Sequence, residues 1–415
     1  MNQNKSKQQS LDFPLENDTD PRSGNFESSP NVKALPEGWK WVKLGEVLKV
    51  RSGNGLTSKN MLESGFPVYG GNGISGYYSD FMFENPVLIL GRVGAKCGVV
   101  HFTKPKSWVT DNALIVDSNP NLIDRKYLFW LLYRMDLNQY SVSTAQPVIS
   151  GTKIYPLEAP LPPLSIQAQI VEKLEALLSE LDKGKAQLLT AQAQLKTYRQ
   201  AVLKYAFEGK LTGDTEGWQW VKLGDIADVG TGVTPLRTNK SFWENGTIPW
   251  ITSGALNDDN VTKSKEFITQ TALKETSLKI YPKHTLLIAL YGEGKTRGKC
   301  SELLFESTTN QAIAGIKLKN EFSESRKFLK LFLLKKYQDL RILASGGVQP
   351  NLNLSLIKNT ELPFPPLSTQ QKIVTEIESR LSVCDKLEET LKVSLAQCET
   401  LRQSLLKRAF EGRLV

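Results

Sequence analysis

Fourteen residues near the middle of the chain, YRQAVLKYAFEGKL (198–211), return as LRQSLLKRAFEGRL (401–414), with nine identities at a constant offset of 203. The same offset relates PPLSIQAQIV (162–171) to PPLSTQQKIV (365–374). Each copy opens on a double proline and a serine, runs some forty residues and stops at a glycine. A repeat on this scale constrains the chain to a fold made of two like halves.

Each copy reads as one long helix. Ser165 and Ser368 stand where an N-cap belongs, and Gln371 completes a capping box in the second copy, where the first has Ala168. Gly209 and Gly412 stand where a left-handed C-cap residue belongs. Apolar residues recur at spacings of three and four, through Ile170, Leu174, Leu177, Leu181 and Leu188 in one copy. The other carries Ile377, Leu381, Cys384, Leu391, Leu395, Cys398 and Leu405. So narrow a stripe suits a coiled-coil seam better than a deeply buried helix. A helix from Ile166 to Glu208 spans roughly 65 Å. Two matching helices in one chain favour pairing within the chain over a lone surface helix or a homodimer zipper.

Composition excludes several classes. No run of eighteen apolar residues is present, so no membrane span is expected, and the first residues lack the apolar core of a signal peptide. Residues 1–30 are polar and predict a disordered tail. The four cysteines form no CxxC pair, and only His101 and His284 are present, which argues against a zinc site or a disulfide framework and fits a reducing cytosol. Cys97 and Cys300, again 203 apart, read as matched core positions.

Two globular units flank the first helix. GWKWVKLGEV (38–47) returns as GWQWVKLGDI (217–226) at an offset of 179, so the second unit carries 24 more residues than the first. The runs PVLIL (86–90) and TLLIAL (285–290) read as buried strands, each followed by a Gly-rich turn. Helical patterns follow at 125–135 and 325–337. Each unit is expected to be a mixed α/β domain with an irregular, turn-rich sheet. The boundaries so read are a tail (1–30), a first domain (31–165), a central helix (166–210), a second domain (211–369) and a C-terminal helix (370–415).

Charge points to a polyanion. Residues 31–165 carry 14 basic and 10 acidic groups, residues 211–369 carry 20 and 16, and each unit is thus +4. Two equally basic domains on a helical frame suit duplex DNA. No catalytic set emerges. GEGKT (292–296) resembles the end of a phosphate-binding loop, but Ala289 stands where that loop needs its first glycine. Glu-x-Lys triplets at 208–210 and 293–295 are too common to mark a nuclease, no adenine-methylation tetrapeptide is present, and the two histidines build no triad.

Turns suited to nucleic acid remain. YGGNG (69–73) allows close backbone approach and presents Asn72, while Arg51, Arg92 and Lys96 add basic groups to the first unit. In the second, Arg237, Asn239 and Lys240 lie in TGVTPLRTNKSFWENGTIPW (231–250), and Lys295, Arg297 and Lys299 follow the buried strand. Arginine reads guanine, asparagine reads adenine, and lysine chiefly neutralises phosphate.

With these elements in order, residues 31–415 resemble the specificity subunit of type I restriction-modification systems. The resemblance rests on the GWxWVKLG openings, the GVTPLRTN…FW…IPW segment, AQPVIS (145–150) and VQPNLN (348–353), the PPLS…Q helix starts and the AFEG helix ends. It implies an α+β fold with two mixed α/β target-recognition domains. Two long helices forming an antiparallel coiled coil separate them, with pseudo-two-fold symmetry. It implies a cytoplasmic, non-catalytic subunit that binds an asymmetric bipartite site on double-stranded DNA. Its partners are two methyltransferase subunits and two restriction subunits, with no membrane partner. S-adenosylmethionine, ATP and Mg are expected on those partners and no cofactor on this chain. Arg199, Gln200, Arg402 and Gln403 are the expected partner-binding residues, with packing in the helical seam as the alternative. A coiled-coil adaptor without sequence-specific DNA contact, and a recognition subunit of another restriction type, are the competing readings.

Overall fold

The computed structural model describes residues 35–94, 96–141, 147–213, 215–292, 296–345 and 352–415. Both long helices form, as Leu164–Phe207 and Leu367–Phe410, each of 44 residues and therefore about 66 Å long. The chain divides into two units, residues up to Leu189 with Lys392–Val415, and Thr190–Leu391. Each unit thus holds one globular region, the start of one long helix and the end of the other.

The repeated sequence motifs have structural reasons. In the first unit the GWxW strand Lys40–Lys43 pairs antiparallel with Glu158–Leu161, the segment that leads into the long helix. In the second, Gln219–Lys222 pairs in the same way with Glu361–Phe364. The LG that follows begins a one-turn helix whose acidic residue bonds back to the preceding backbone, Lys43 N–H to Glu46 at 3.3 Å and Lys222 N–H to Asp225 at 3.2 Å. Leu44 and Leu223 are fully buried by that turn.

The long helices do not begin as expected. They start one residue before Ser165 and Ser368, so neither serine is an N-cap, and the first-turn amides of residues 166, 167, 369 and 370 bond to the carbonyls of Pro163 and Pro366. The prolines fix the entering chain, and the buried Gln167 and Gln370 secure it. Gln167 donates to the carbonyls of Leu122 (3.0 Å) and Pro162 (2.8 Å) and accepts from Asp124 N–H (2.7 Å). Gln370 donates to the Pro365 carbonyl at 2.9 Å, and its Oε1 is buried without a partner among the described residues. At the other ends Gly209 and Gly412 have φ of 74° and 69°, and bonds from Lys210 N–H to the Tyr205 carbonyl and Arg413 N–H to the Arg408 carbonyl close each helix. The Pro36 and Trp39 rings lie against Gly412, leaving no room for a side chain there.

The reading of this stripe as a coiled-coil seam fits only the middle of the helices. Their ends are core elements. Ile170, Leu174 and Leu178 meet Leu405, Leu406, Ala409 and Phe410 in the first unit, and Val202, Leu203, Ala206 and Phe207 meet Ile373, Val374 and Ile377 in the second. Each of the Val, Leu, Ile and Phe side chains contributes roughly 1.5–3 kcal/mol by burial. The phenylalanine of each AFEG motif anchors the helix of its unit's globular region. Phe410 meets Tyr127 edge to face at 5.3 Å in the first unit, and Phe207 meets Phe328 at 5.1 Å in the second.

Each globular region has a largely antiparallel sheet. In the first unit its order is Leu48–Ser52, Ala113–Ser118, Leu88–Gly91, Val100–Phe102, beside a smaller sheet of Gly73–Tyr78, Phe66–Gly70 and Trp108–Val109. The second unit keeps this plan with Ala227–Thr231, Ile313–Leu318, Leu286–Ala289 and Cys300–Leu303, adding Asn260–Val261 as a parallel edge strand. Most of the 24 extra residues fall between Ile251 and Leu286, where the short helix Gln270–Glu275 also lies.

One expected equivalence fails. Gly98 N–H bonds to the Gly91 carbonyl and Gly298 N–H to the Ala289 carbonyl, so the second hairpin is two residues longer. Cys97 therefore corresponds to Arg297, and Cys300, paired with Ile288, corresponds to Val100. Both thiols are buried and free, but they are not matched positions.

Divergence inside a shared frame is clearest where the sheet meets the globular helix. In the first unit Phe102 stacks on Phe129 at 5.3 Å, with Arg125 over Phe102. At the matching place in the second, Glu302 hydrogen-bonds His284 Nδ1 (2.8 Å) and forms ion pairs with Arg326 (Nε at 3.1 Å) and Lys330 (Nζ at 3.5 Å). Burial opposes the Glu302 charge, and the His284 bond with the Lys330 and Arg326 charges outweighs it, holding its pKa below the ordinary 4.5. A lowered folded-state pKa gives stability that is present above the unfolded value and is lost as pH falls through the folded one. Glu302→Gln is expected to destabilise the second unit by on the order of 2–3 kcal/mol at neutral pH. It should also flatten the fall in stability below pH 4.5. Thermal unfolding of wild type and variant across that range measures both, and parallel pH profiles would contradict the assignment.

Candidate nucleic-acid interface

In the first unit the turn 69–73 sits on the hairpin that follows Leu88–Gly91. A Cβ on Gly71 would fall 2.9 Å from the Asn112 carbonyl and 3.1 Å from that of Val93, and Gly91 lies directly against the Gly71 carbonyl. Glycine is required at both places by this contact of backbone with backbone. The result is a cleft of about 650 Å³ walled by residues 70–75 on one side and Val93, Thr110 and Asn112 on the other.

Asn72 lies exposed in this turn. Arg92 adjoins it, its Nη1 fixed by Ser52 Oγ (3.2 Å) and the Asp111 carbonyl (3.3 Å), with no carboxylate partner among the described residues. Lys96 is exposed on the same hairpin. The structure thus brings Asn72, Arg92 and Lys96 to one place. The Arg51 guanidinium, half exposed, pairs with Asp117 at 2.8 Å and covers the Phe83 ring. His101 underlies Gly73, and burial lowers its pKa; its Nε2 is enclosed without a partner among the described residues, which disfavours a proton there.

The basic residues of the second unit scatter. Arg237 stacks on Trp243 and Trp250, with centroid distances of 3.9 and 4.8 Å, and pairs with Glu266. Trp243 and Trp250 donate in turn to the carbonyls of Leu236 and Val233. The GVTPLRTN…FW…IPW segment is therefore a packed arginine–tryptophan knot. Asn239 Oδ1 accepts from Ser241 N–H and Oγ and caps the turn Lys240–Phe242, while Lys240 is exposed and 3.4 Å from Glu244. On the long hairpin Lys299 donates to the Asn257 carbonyl at 2.9 Å, and Arg297 Nε is buried. Lys295 lies outside the described residues, as do Ala145 and Gln146 of one Gln-Pro element and 348–351 of the other.

On the helices, the two repeated arginines make equivalent bonds. Arg199 pairs with Asp385 (2.6 Å) and Glu388 (2.9 Å) in the second unit, and Arg402 pairs with Asp182 in the first. Asp182 and Asp385 are themselves 203 apart. Lys185 with Glu399, at 3.4 Å, continues the antiparallel register in the first unit. Gln200 is exposed and Gln403 half-buried.

The model of the type I restriction modification DNA specificity domain matches residues 36–191 and again 215–397. The chain belongs to this family. Among specificity-family relatives, the type I restriction enzyme EcoDI specificity subunit of Escherichia coli is 24% identical over 420 residues, covering 92% of this chain and 89% of that one. The MjaVIII specificity subunit of Methanocaldococcus jannaschii is 24% identical over 422 residues, covering 94% and 96%. The HsdS subunit from Thermoanaerobacter tengcongensis shares the fold, with a TM-score of 0.60 at 19% identity over 92% of this chain and 99% of that one. A chain from a type I R-M system, in work on complex assembly and conformational transition, shares it with a TM-score of 0.73, at 20% identity and the same coverage. The specificity-family frame accounts for the motifs that repeat. The cleft walls lie in what does not repeat, and counting basic residues overlooked Thr110 and Asn112 because neither is charged.

Proposed function

We propose that this chain is the DNA-reading subunit of a type I restriction-modification complex, each unit reading one half of an asymmetric bipartite duplex site. The match of the specificity-domain model to both repeats carries this reading. Two units with one framework and unlike loops are suited to two unlike half-sites. In this reading the chain supplies no chemistry. Two methyltransferase subunits dock on the helices and two restriction subunits complete the complex, which acts in the cytoplasm. S-adenosylmethionine, ATP and Mg are held by those partners. Arg199 and Arg402 act indirectly, by fixing the helical register, while the exposed Gln200 faces the partner.

Selection from a randomised duplex pool by the chain with its methyltransferase subunit tests this. Enrichment of one split motif is expected. Binding should weaken steeply with salt while retaining its preference for that motif. Equal, salt-sensitive binding to every duplex would leave a scaffold without sequence reading.

A further inference from the structure

We propose that the cleft of the first unit reads an A·T base pair through the side-chain amides of Asn72 and Asn112, with Arg92 taking an adjoining phosphate. The inference rests on the DNA-reading function above and names the chemistry of one of its sites. Among the described residues, the cleft is lined without any Asp, Glu, Lys or Arg side chain. That removes the carboxylate that accepts from cytosine and the cation that reads guanine. What lines it instead is a pair of amides with Leu56, Met61, Ile74 and Val93.

An amide places an acceptor beside a donor, which complements N6 and N7 of adenine, and apolar side chains suit the methyl group of thymine. Both asparagines are exposed, and neither side-chain amide has a hydrogen-bond partner among the described residues. Their backbones are nevertheless held. The Asn112 carbonyl accepts from Arg92 N–H at 2.9 Å, and its own N–H meets Thr110 Oγ1 at 3.4 Å. Gly71 packs the turn bearing Asn72 onto that same carbonyl. Fixed backbones with unspent amides are the arrangement direct readout needs. Arg92, held by a hydroxyl and a carbonyl, keeps an uncompensated charge beside them.

Adenine-modification mapping of DNA from cells holding the methyltransferase subunit and either wild type, Asn72→Ala or Asn112→Ala tests the proposal. Melting of the purified complexes verifies that these exposed changes leave the fold intact. Each variant is expected to make one A·T position of one half-site degenerate, with discrimination there falling about ten-fold or more. The other half-site and the gap should not change. Where a variant complex is too weak to modify DNA, competition with duplexes altered one position at a time gives the same readout. Arg92→Gln should weaken binding to all sequences alike and lower the salt slope by about one. An unchanged motif in both asparagine variants, relaxation at a G·C position, or a uniform loss over all duplexes would overturn the proposal. Absence of any motif with wild type would instead remove the DNA-reading function and the proposal with it.

Discussion

Gln167→Ala is expected to lower the melting temperature of the first unit by roughly 6–12 °C, and Gln370→Ala to lower that of the second by less than half as much. The two glutamines occupy the same place in the repeat, yet their duties differ. Gln167 satisfies three backbone groups, buried at Pro162 and partly buried at Leu122 and Asp124, and so joins the long helix to the start of the globular helix Arg125–Met135. Its loss leaves those groups unsatisfied at roughly 3 kcal/mol in sum. Gln370 satisfies one carbonyl and already buries an unpartnered oxygen. Its loss should cost about 1 kcal/mol. Calorimetry with separate resolution of the two units, or hydrogen exchange at residues 122–127, measures the difference. Equal effects would show that the repeat halves are secured alike.

The helices are expected to set the gap between half-sites. Both long helices run unbroken through the positions where the units divide, at Leu189 and Leu391. The pairs of Asp182 with Arg402 and Lys185 with Glu399 belong to one unit, and those of Arg199 with Asp385 and Glu388 to the other. Inserting seven helix-forming residues after Leu189, and seven more after Lys392, preserves all of them and keeps the seam in phase. The helices lengthen by about 10 Å, close to three base pairs of duplex. The modified motif is expected to keep both half-sites while its gap grows by about three base pairs. An insertion after Leu189 alone should instead force the helices to slide past their ion pairs and weaken assembly. A gap unchanged by the paired insertion would contradict a spacing set by the helices.

What the sequence made legible was the frame. Repetition exposed the long helices, their glycine ends and the GWxW strands, because the two copies share packing partners and therefore share residues. Local capping rules misplaced the helix starts, since the prolines and buried glutamines secure them through residues distant in sequence. The site was less legible for a related reason. Arg51 and Arg237 are as basic as Arg92, and only the fold shows that Asp117 and Glu266 occupy them. Likewise the 203-residue offset of Cys97 and Cys300 is coincidental, since matched hairpin positions such as Gly98 and Gly298 stand 200 apart. Asn112 carried no signal of its own. Its place opposite Asn72 follows from backbone contact through Gly71.

This chain, and not its partners, is expected to choose the sequence. Base-modification mapping of DNA from cells carrying the methyltransferase partner, with and without this chain, addresses it most directly. Methyladenine in one asymmetric split motif of fixed gap, present only with the chain, is the expected result. Modification that is independent of the chain, or an active partner that modifies no motif in its presence, would contradict it.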